Sequence, residues 1–186
     1  MRLFVGVPVS LETVDGLSGA SESLARRAQS AKVAVRWLAP ATYHVTLKFL
    51  GACRPEVVGA IGDALVRAAA GISPFRFQTA RLGAFPSAQK ATVVWAGVED
   101  GGKLAALAAR VEVEMVAIGL PREPRKYHPH VTIARLREPS DVGSVLLPMA
   151  EQAFSETNVQ EIVLYESTTN PGGSEYAMRR SVRLGG

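Results

Sequence analysis

The chain has 186 residues, 47% of them hydrophobic and 20% charged, a balance that excludes a disordered protein and suits one domain or two small lobes sharing a core. The 21 Lys and Arg against 17 Asp and Glu leave a net charge of +4, too mild to argue for a nucleic-acid partner by itself. The single cysteine, Cys53, excludes an internal disulfide and a thiolate metal cluster.

The apolar run after Met1 and Arg2 is cut by Pro8, too short for a secretory signal, and no run approaches the roughly 20 residues of a membrane span, so the expected setting is the cytoplasm. That first run, "RLFVGVPV" (Arg2–Val9), is rich in β-branched residues and reads as a strand. Ser10 is placed as the N-cap of a helix in which Leu11, Val14, Leu17, Leu24 and Ala28 recur at loose helical spacing. Arg26 and Arg27 fall near its end, where cations suit the helix dipole. "AVRWL" and "YHVTLKFLG" read as strands parted by Ala39 and Pro40. Pro55 to Ala70 is a helix with proline in its first turn and Gly71 as the stop. Phe75–Phe85 and Ala91–Val98 read as an antiparallel pair joined by the polar "PSAQK".

Gly101–Gly119 is a helix with Leu104, Leu107, Val111, Met115 and Ile118 on its apolar face. A polar connector, "LPREPRKYHP", leads to a second histidine-bearing strand. A weaker helix is expected around Ser140 to Ala153, and two strands, "VQEIVLYES" and "EYAMRRSVRL", close the chain on either side of "TTNPGGS". The order predicts an α+β protein. Residues 1–186 are expected to form one compact unit of two related lobes, each half of the sequence supplying strands, two helices and one His-x-Thr strand. Trp37, Phe49 and Trp95 are expected in the core.

Two of the three histidines occupy near-identical settings, "HVTLKFLG" from His44 and "HVTIAR" from His130, 130 − 44 = 86 residues apart. Side chains alternate along a strand. His44, Thr46 and Lys48 therefore share one face and Val45, Leu47 and Phe49 the other. In the second copy His130 and Thr132 oppose Val131 and Ile133. The apolar set accounts for the strand; it does not account for histidine and threonine appearing together twice, since buried imidazoles cost free energy unless their nitrogens find partners. Imidazole titrates near neutrality, so two of them can divide one reaction, one taking a proton while the other gives one. Threonine hydroxyls donate to anionic oxygens without acid–base chemistry of their own. Two such pairs across a groove suit a phosphodiester. A metal site would call for further ligands, and neither an HExxH pattern nor an Asp or Glu lies beside either motif; His128, the one conceivable third ligand, follows the same alternation as His130.

These two motifs, "HVTLKFLG" and "HPHVTIAR", resemble the paired His-x-Thr signatures of the two-histidine (2H) phosphoesterase superfamily, and within it the RNA 2',3'-cyclic phosphodiesterase branch, also called 2'-5' RNA ligases. "RLFVGVPV", "VRWLAPATYHVTLKFLG" and "EIVLYES" resemble that branch in order and spacing, so the likeness spans essentially the whole chain. The resemblance implies a bilobal α+β fold with two antiparallel sheets around a central cleft, helices outside and one motif per lobe. It implies hydrolysis of RNA 2',3'-cyclic phosphate ends to a 2'-phosphate without metal or cofactor, by His44 as general acid and His130 as general base, with 2'-5' ligation as a side reaction. Thr46 and Thr132 are then phosphate ligands. So is Arg135, although strict alternation puts it on the face opposite His130 unless the strand bulges.

Lys48, Lys126, Tyr127 and His128 are further candidate RNA contacts, the middle two as a basic and aromatic pair beside the second motif. The partner expected is an RNA or oligonucleotide with a 2',3'-cyclic phosphate end, and the protein a monomer with no membrane attachment. Two other readings of the same residues are a non-catalytic RNA-end binder and a phosphodiesterase for a small nucleotide such as a cyclic phosphate of ADP-ribose.

Overall fold

A computed structural model describes residues 1–171 and 173–185. Its nine strands and four helices, counted among those residues, follow in chain order: β1 Arg2–Pro8, α1 Leu11–Ser30, β2 Arg36–Trp37, β3 His44–Ala52, α2 Val58–Ala69, β4 Phe75–Phe85, β5 Ala91–Glu99, α3 Lys103–Ala117, β6 His130–Ser140, α4 Gly143–Leu146, β7 Ala153–Val159, β8 Glu161–Asn170 and β9 Gly173–Arg183. The local signals explain most of these limits. Ser10 caps α1 through its Oγ, which accepts from the Thr13 N–H at 3.2 Å. Gly71 and Gly119, at φ +71° and +86°, sit just past α2 and α3, where the backbone turns left-handed.

The strands form an antiparallel sheet in the order β7-β4-β5-β6-β3-β1-β8-β9, with β2 paired to β6. Two four-stranded halves meet where β3 and β6 touch, through the single register pair Val45–Val131. β1, β3, β8 and β9 make one half, backed by α2 and α3; β4, β5, β6 and β7 make the other, against which α1 packs at β7. The chain therefore does not divide into an N-terminal and a C-terminal lobe. The first half-sheet takes strands from both chain ends, and α1 crosses to the second, so the lobes interleave.

Two expected elements differ. The helix expected around Ser140 to Ala153 shrinks to the single turn of α4 followed by a 3-10 turn at 147–149, because Pro148 cannot donate a helical hydrogen bond and the Asp141 carboxylate instead caps the Gly143 N–H. Its last residue begins β7, a strand absent from the sequence reading; β7 is an edge strand whose inward residues are only Thr157 and Val159, too few to mark a period. The β8–β9 hairpin also takes Thr168–Asn170 and Gly173–Ser174 of the expected connector into its ladder, while residue 172 of that connector lies outside the described residues. Among the described residues no helix is long and apolar enough to cross a membrane.

Candidate active site

Where β3 meets β6 the two motifs come together. The Val45–Val131 pair sets His44 opposite Thr132 and Thr46 opposite His130, a local twofold relation between the strands. Both valines are fully buried on the helix side, and the four polar side chains stand on the other face, partly exposed. The two histidines are diagonal neighbours across the seam, a relation that in a regular ladder separates residues by about 7–8 Å, with the Cβ atoms somewhat closer.

Each ring is oriented the same way. Nδ1 of His44 lies 2.7 Å from the Thr42 carbonyl, and Nδ1 of His130 lies 2.7 Å from the His128 carbonyl. A carbonyl only accepts, so both Nδ1 atoms carry the proton and both Nε2 atoms are the acceptors of the neutral ring. Nε2 of His44 is 3.0 Å from Thr46 Oγ1, whose hydroxyl donates to it. Gly6 lets the His44 ring lie against β1: a Cβ there would stand 3.0 Å from the Val45 carbonyl oxygen and 3.3 Å from His44 Cδ2. Burial pushes His44 down from 6.5 to about 4, helped by the charges of His130 and Arg135, while the Thr42 carbonyl opposes the shift. Burial likewise holds His130 below 6.5, with the His128 carbonyl opposing and His128 and Arg135 adding to it. Both imidazoles are thus neutral at pH 7, and an arriving anion would raise both.

Arg135 does face this site, and the reason is a bulge. On β5, Trp95 pairs with Thr132, Val94 with Ala134 and Val93 with Arg135, so Ile133 is an extra residue in β6. Val93 and Trp95 share a face because they are two apart; hence Thr132 and Arg135 share it too. The same bulge recurs in β3, where Gly6 pairs with Thr46, Val5 with Lys48 and Phe4 with Phe49, leaving Leu47 extra. Its consequence there corrects two expectations. Lys48 turns to the helix side, 4% exposed, and its Nζ donates to Glu112 Oε2 at 2.6 Å and to the Pro121 carbonyl at 2.9 Å. It is not on the His44 face and is no RNA contact. Phe49, expected in the core, is 54% exposed on the cleft face, at the position that Arg135 holds in the other motif.

The remaining candidates separate. The Tyr127 hydroxyl donates to the Thr46 carbonyl at 3.1 Å and its ring packs against the core, so it braces the first motif instead of offering a free stacking face; burial pushes its phenol up. Lys126 is exposed beside it. His128 is exposed and joins an aromatic group with Trp95 and Phe85, ring centroids 5.1 and 5.3 Å away, and with His130 at 6.1 Å.

Sequence reasoning missed the rings that wall the cleft. Phe4 lies 4.7 Å and Tyr176 5.2 Å from His44, with Tyr165 behind them, and Phe85 lies 5.1 Å from His130. Trp95 is half-buried on the cleft side, not a core residue, and a Cβ on Gly83 would clash with its indole at 2.3 Å, so glycine is required beneath it. A cavity of about 310 Å³ opens beside it, bordered by His128, Pro129, Gly97 and Arg81. Among the described residues no three His, Cys, Asp or Glu side chains gather as a metal site.

A curled antiparallel sheet with one His-x-Thr strand from each half, meeting at a cleft, defines the two-histidine phosphoesterase class. The chain belongs to the 2'-5' RNA ligase superfamily, whose model matches residues 20–171. Among its relatives, an RNA 2',3'-cyclic phosphodiesterase of Archaeoglobus fulgidus is 28% identical over 187 residues, spanning 95% of this chain and 96% of its own. Another of that name, from Aquifex aeolicus, is 31% identical over 163 residues, spanning 83% and 85%. TT0787 of Thermus thermophilus shares the fold at a TM-score of 0.81 and 24% identity over 99% of this chain and 98% of that one. E. coli LigT complexed with 3'-AMP does so at 0.72 and 22% identity, over 98% and 97%.

Proposed function

We propose that this protein is an RNA 2',3'-cyclic phosphodiesterase, a hydrolase that opens the cyclic phosphate to a 2'-phosphate without metal. The observation that carries the reading is the paired His-Thr cluster around Val45–Val131, with both Nδ1 atoms held by backbone carbonyls and both Nε2 atoms left to work in the cleft. The relatives' name supplies the substrate class.

In this mechanism Thr46, Thr132 and Arg135 hold the nonbridging oxygens, the guanidinium by two parallel bonds. His130 Nε2 takes a proton from water as its oxygen bonds to phosphorus. The P–O3' bond breaks in line, and His44, protonated once the anion is bound, gives its proton to O3'. A 5'-hydroxyl in place of water would give a 2'-5' linkage by the same steps. The donor set supports a metal-free reaction, since the groups facing the phosphate are imidazoles, hydroxyls and a guanidinium.

The test is to supply an oligonucleotide and a mononucleotide, each ending in a 2',3'-cyclic phosphate, with EDTA present, and to identify the phosphomonoester formed. A 2'-phosphate at an unchanged rate is expected. A 3'-phosphate, or loss of turnover on chelation, would overturn the mechanism; binding without turnover would leave an RNA-end binder.

A pH profile follows from the two burial shifts. Below the values of both rings both are charged and no base remains; above both values each is neutral and no acid remains, and burial moves both limits down, that of His44 to about 4. The profile of kcat/KM, which reports the free enzyme, is therefore expected to be bell-shaped with its maximum between those limits. That of kcat is expected at higher pH, because bound phosphate favours both imidazolium forms. A kcat/KM flat from pH 4 to 8 would refute the division of roles.

A further inference from the structure

Past the point where β3 leaves β6, β2 takes its place: Arg36 pairs with Arg135 and Trp37 with Ala134, and the Leu38 N–H bonds the Ile133 carbonyl at 2.9 Å. Trp37 and Val35 pack against the core. Arg36, between them, therefore points to the opposite face, the one that carries Arg135. Directly opposed residues of antiparallel strands have Cβ atoms only about 4.5–5.5 Å apart, and like charges so placed destabilise the sheet.

Among the described residues neither guanidinium is neutralised. Six salt bridges join described residues, and none includes Arg36 or Arg135; neither side chain makes a hydrogen bond to a described residue. Both arginines are exposed. Arg36 Nη2 lies 3.8 Å from where a Cβ on Gly173 would stand, so the side chain extends toward the start of β9. Two arginines on one face of a paired stretch, one beside the imidazoles and one a step further out, with no carboxylate of a described residue on either, are an arrangement that two successive anions would relieve.

We propose that Arg36 binds the phosphodiester immediately 5' of the terminal nucleotide, while Arg135 serves the cyclic phosphate, so that the protein recognises a polynucleotide end over a free nucleoside 2',3'-cyclic phosphate. This rests on the phosphodiesterase reading above and adds to it a second backbone phosphate as a recognised element. The contact is to charge, not to a base, so it carries length preference without sequence preference.

The experiment is a charge cycle on a dinucleotide with a cyclic phosphate end, made with either a normal or an uncharged methylphosphonate internal linkage, alongside the mononucleotide. Arg36→Gln is expected to raise KM about tenfold more on the normal dinucleotide than on the methylphosphonate or the mononucleotide. Arg36→Lys should recover part of that difference. The slope of log KM against log salt on the normal dinucleotide should fall by about 0.7 in Arg36→Gln, the contribution of one phosphate on a single strand. The thermal midpoint of free Arg36→Gln should not fall, since a like-charge opposition has been removed. An equal effect of Arg36→Gln on all three substrates, or no effect on any, overturns the assignment. Failure of the wild-type protein to turn over any of the three overturns the phosphodiesterase reading instead.

Discussion

Alanine at either His44 or His130 is expected to lower kcat on a cyclic-phosphate end by about 10²- to 10⁴-fold, the usual contribution of a positioned acid or base. The loss should be nearly as large for one substitution as for both, because a proton relay with one member missing has no route through the other. Single-turnover assays at saturating RNA measure it, free of product release. Each variant should remain folded: His44 is braced by Phe4 and Tyr176 from other strands, and alanine forfeits ring contacts at the cleft face, not the fully buried Val45 anchor. Denaturant titration therefore separates a chemical loss from unfolding. A variant retaining more than a tenth of wild-type kcat would show that its imidazole takes no part in the proton transfers.

Lys48→Met is the second large effect, and it falls on stability. The Lys48 side chain is 2% exposed and pairs with Glu112, whose side chain is 21% exposed and whose carboxylate also accepts from the Glu123 N–H at 2.9 Å. With Pro121 on its other side, Lys48 ties β3 to α3 and to the connector that leads into the second motif. Methionine keeps the stem and removes the charge, leaving a poorly hydrated carboxylate and a carbonyl without its donor. A loss of about 3 kcal/mol in unfolding free energy is expected, at the low end for breaking a buried pair because Glu112 retains some water. Adding Glu112→Leu should return more than half of it, since the stranded charge is then gone. A loss below about 1 kcal/mol, or weaker RNA binding at unchanged stability, would mean that Lys48 faces the cleft after all.

Lys48 also shows where reading a strand by alternation breaks down. The His-x-Thr faces, the apolar anchors, most helix limits and the β4–β5 pairing were legible because each rests on local residue chemistry or on a period that a short window contains. A bulge has no such mark here. Leu47 and Ile133 are ordinary apolar strand residues, and what makes them extra is the count of residues on the neighbouring strand, which a single segment does not contain. One uncounted residue in each strand was enough: Leu47 sent Lys48 to the wrong side and hid Phe49, and Ile133 left Arg135 in conflict with its motif. β7 was lost for a different reason: an edge strand needs few apolar residues, and its polar run resembles a loop. The interleaving of the lobes and the placement of Phe4, Tyr165 and Tyr176 around His44 depend on pairings between chain ends, which no local signal encodes.

The twofold relation at Val45–Val131 bears on which way round an RNA end lies. Either imidazole stands in the same relation to the other strand's hydroxyl, so the inner shell treats the entering and departing oxygens of phosphorus almost alike, and on its own has no preferred direction along the nucleic acid. Direction enters one step further out, past the bulges, where equivalent positions hold a phenyl ring in one motif and a guanidinium in the other. Exchanging Phe49 and Arg135 would leave both histidines and both threonines in place, move the guanidinium that holds the phosphate to the other motif, and so reverse the polarity of the groove.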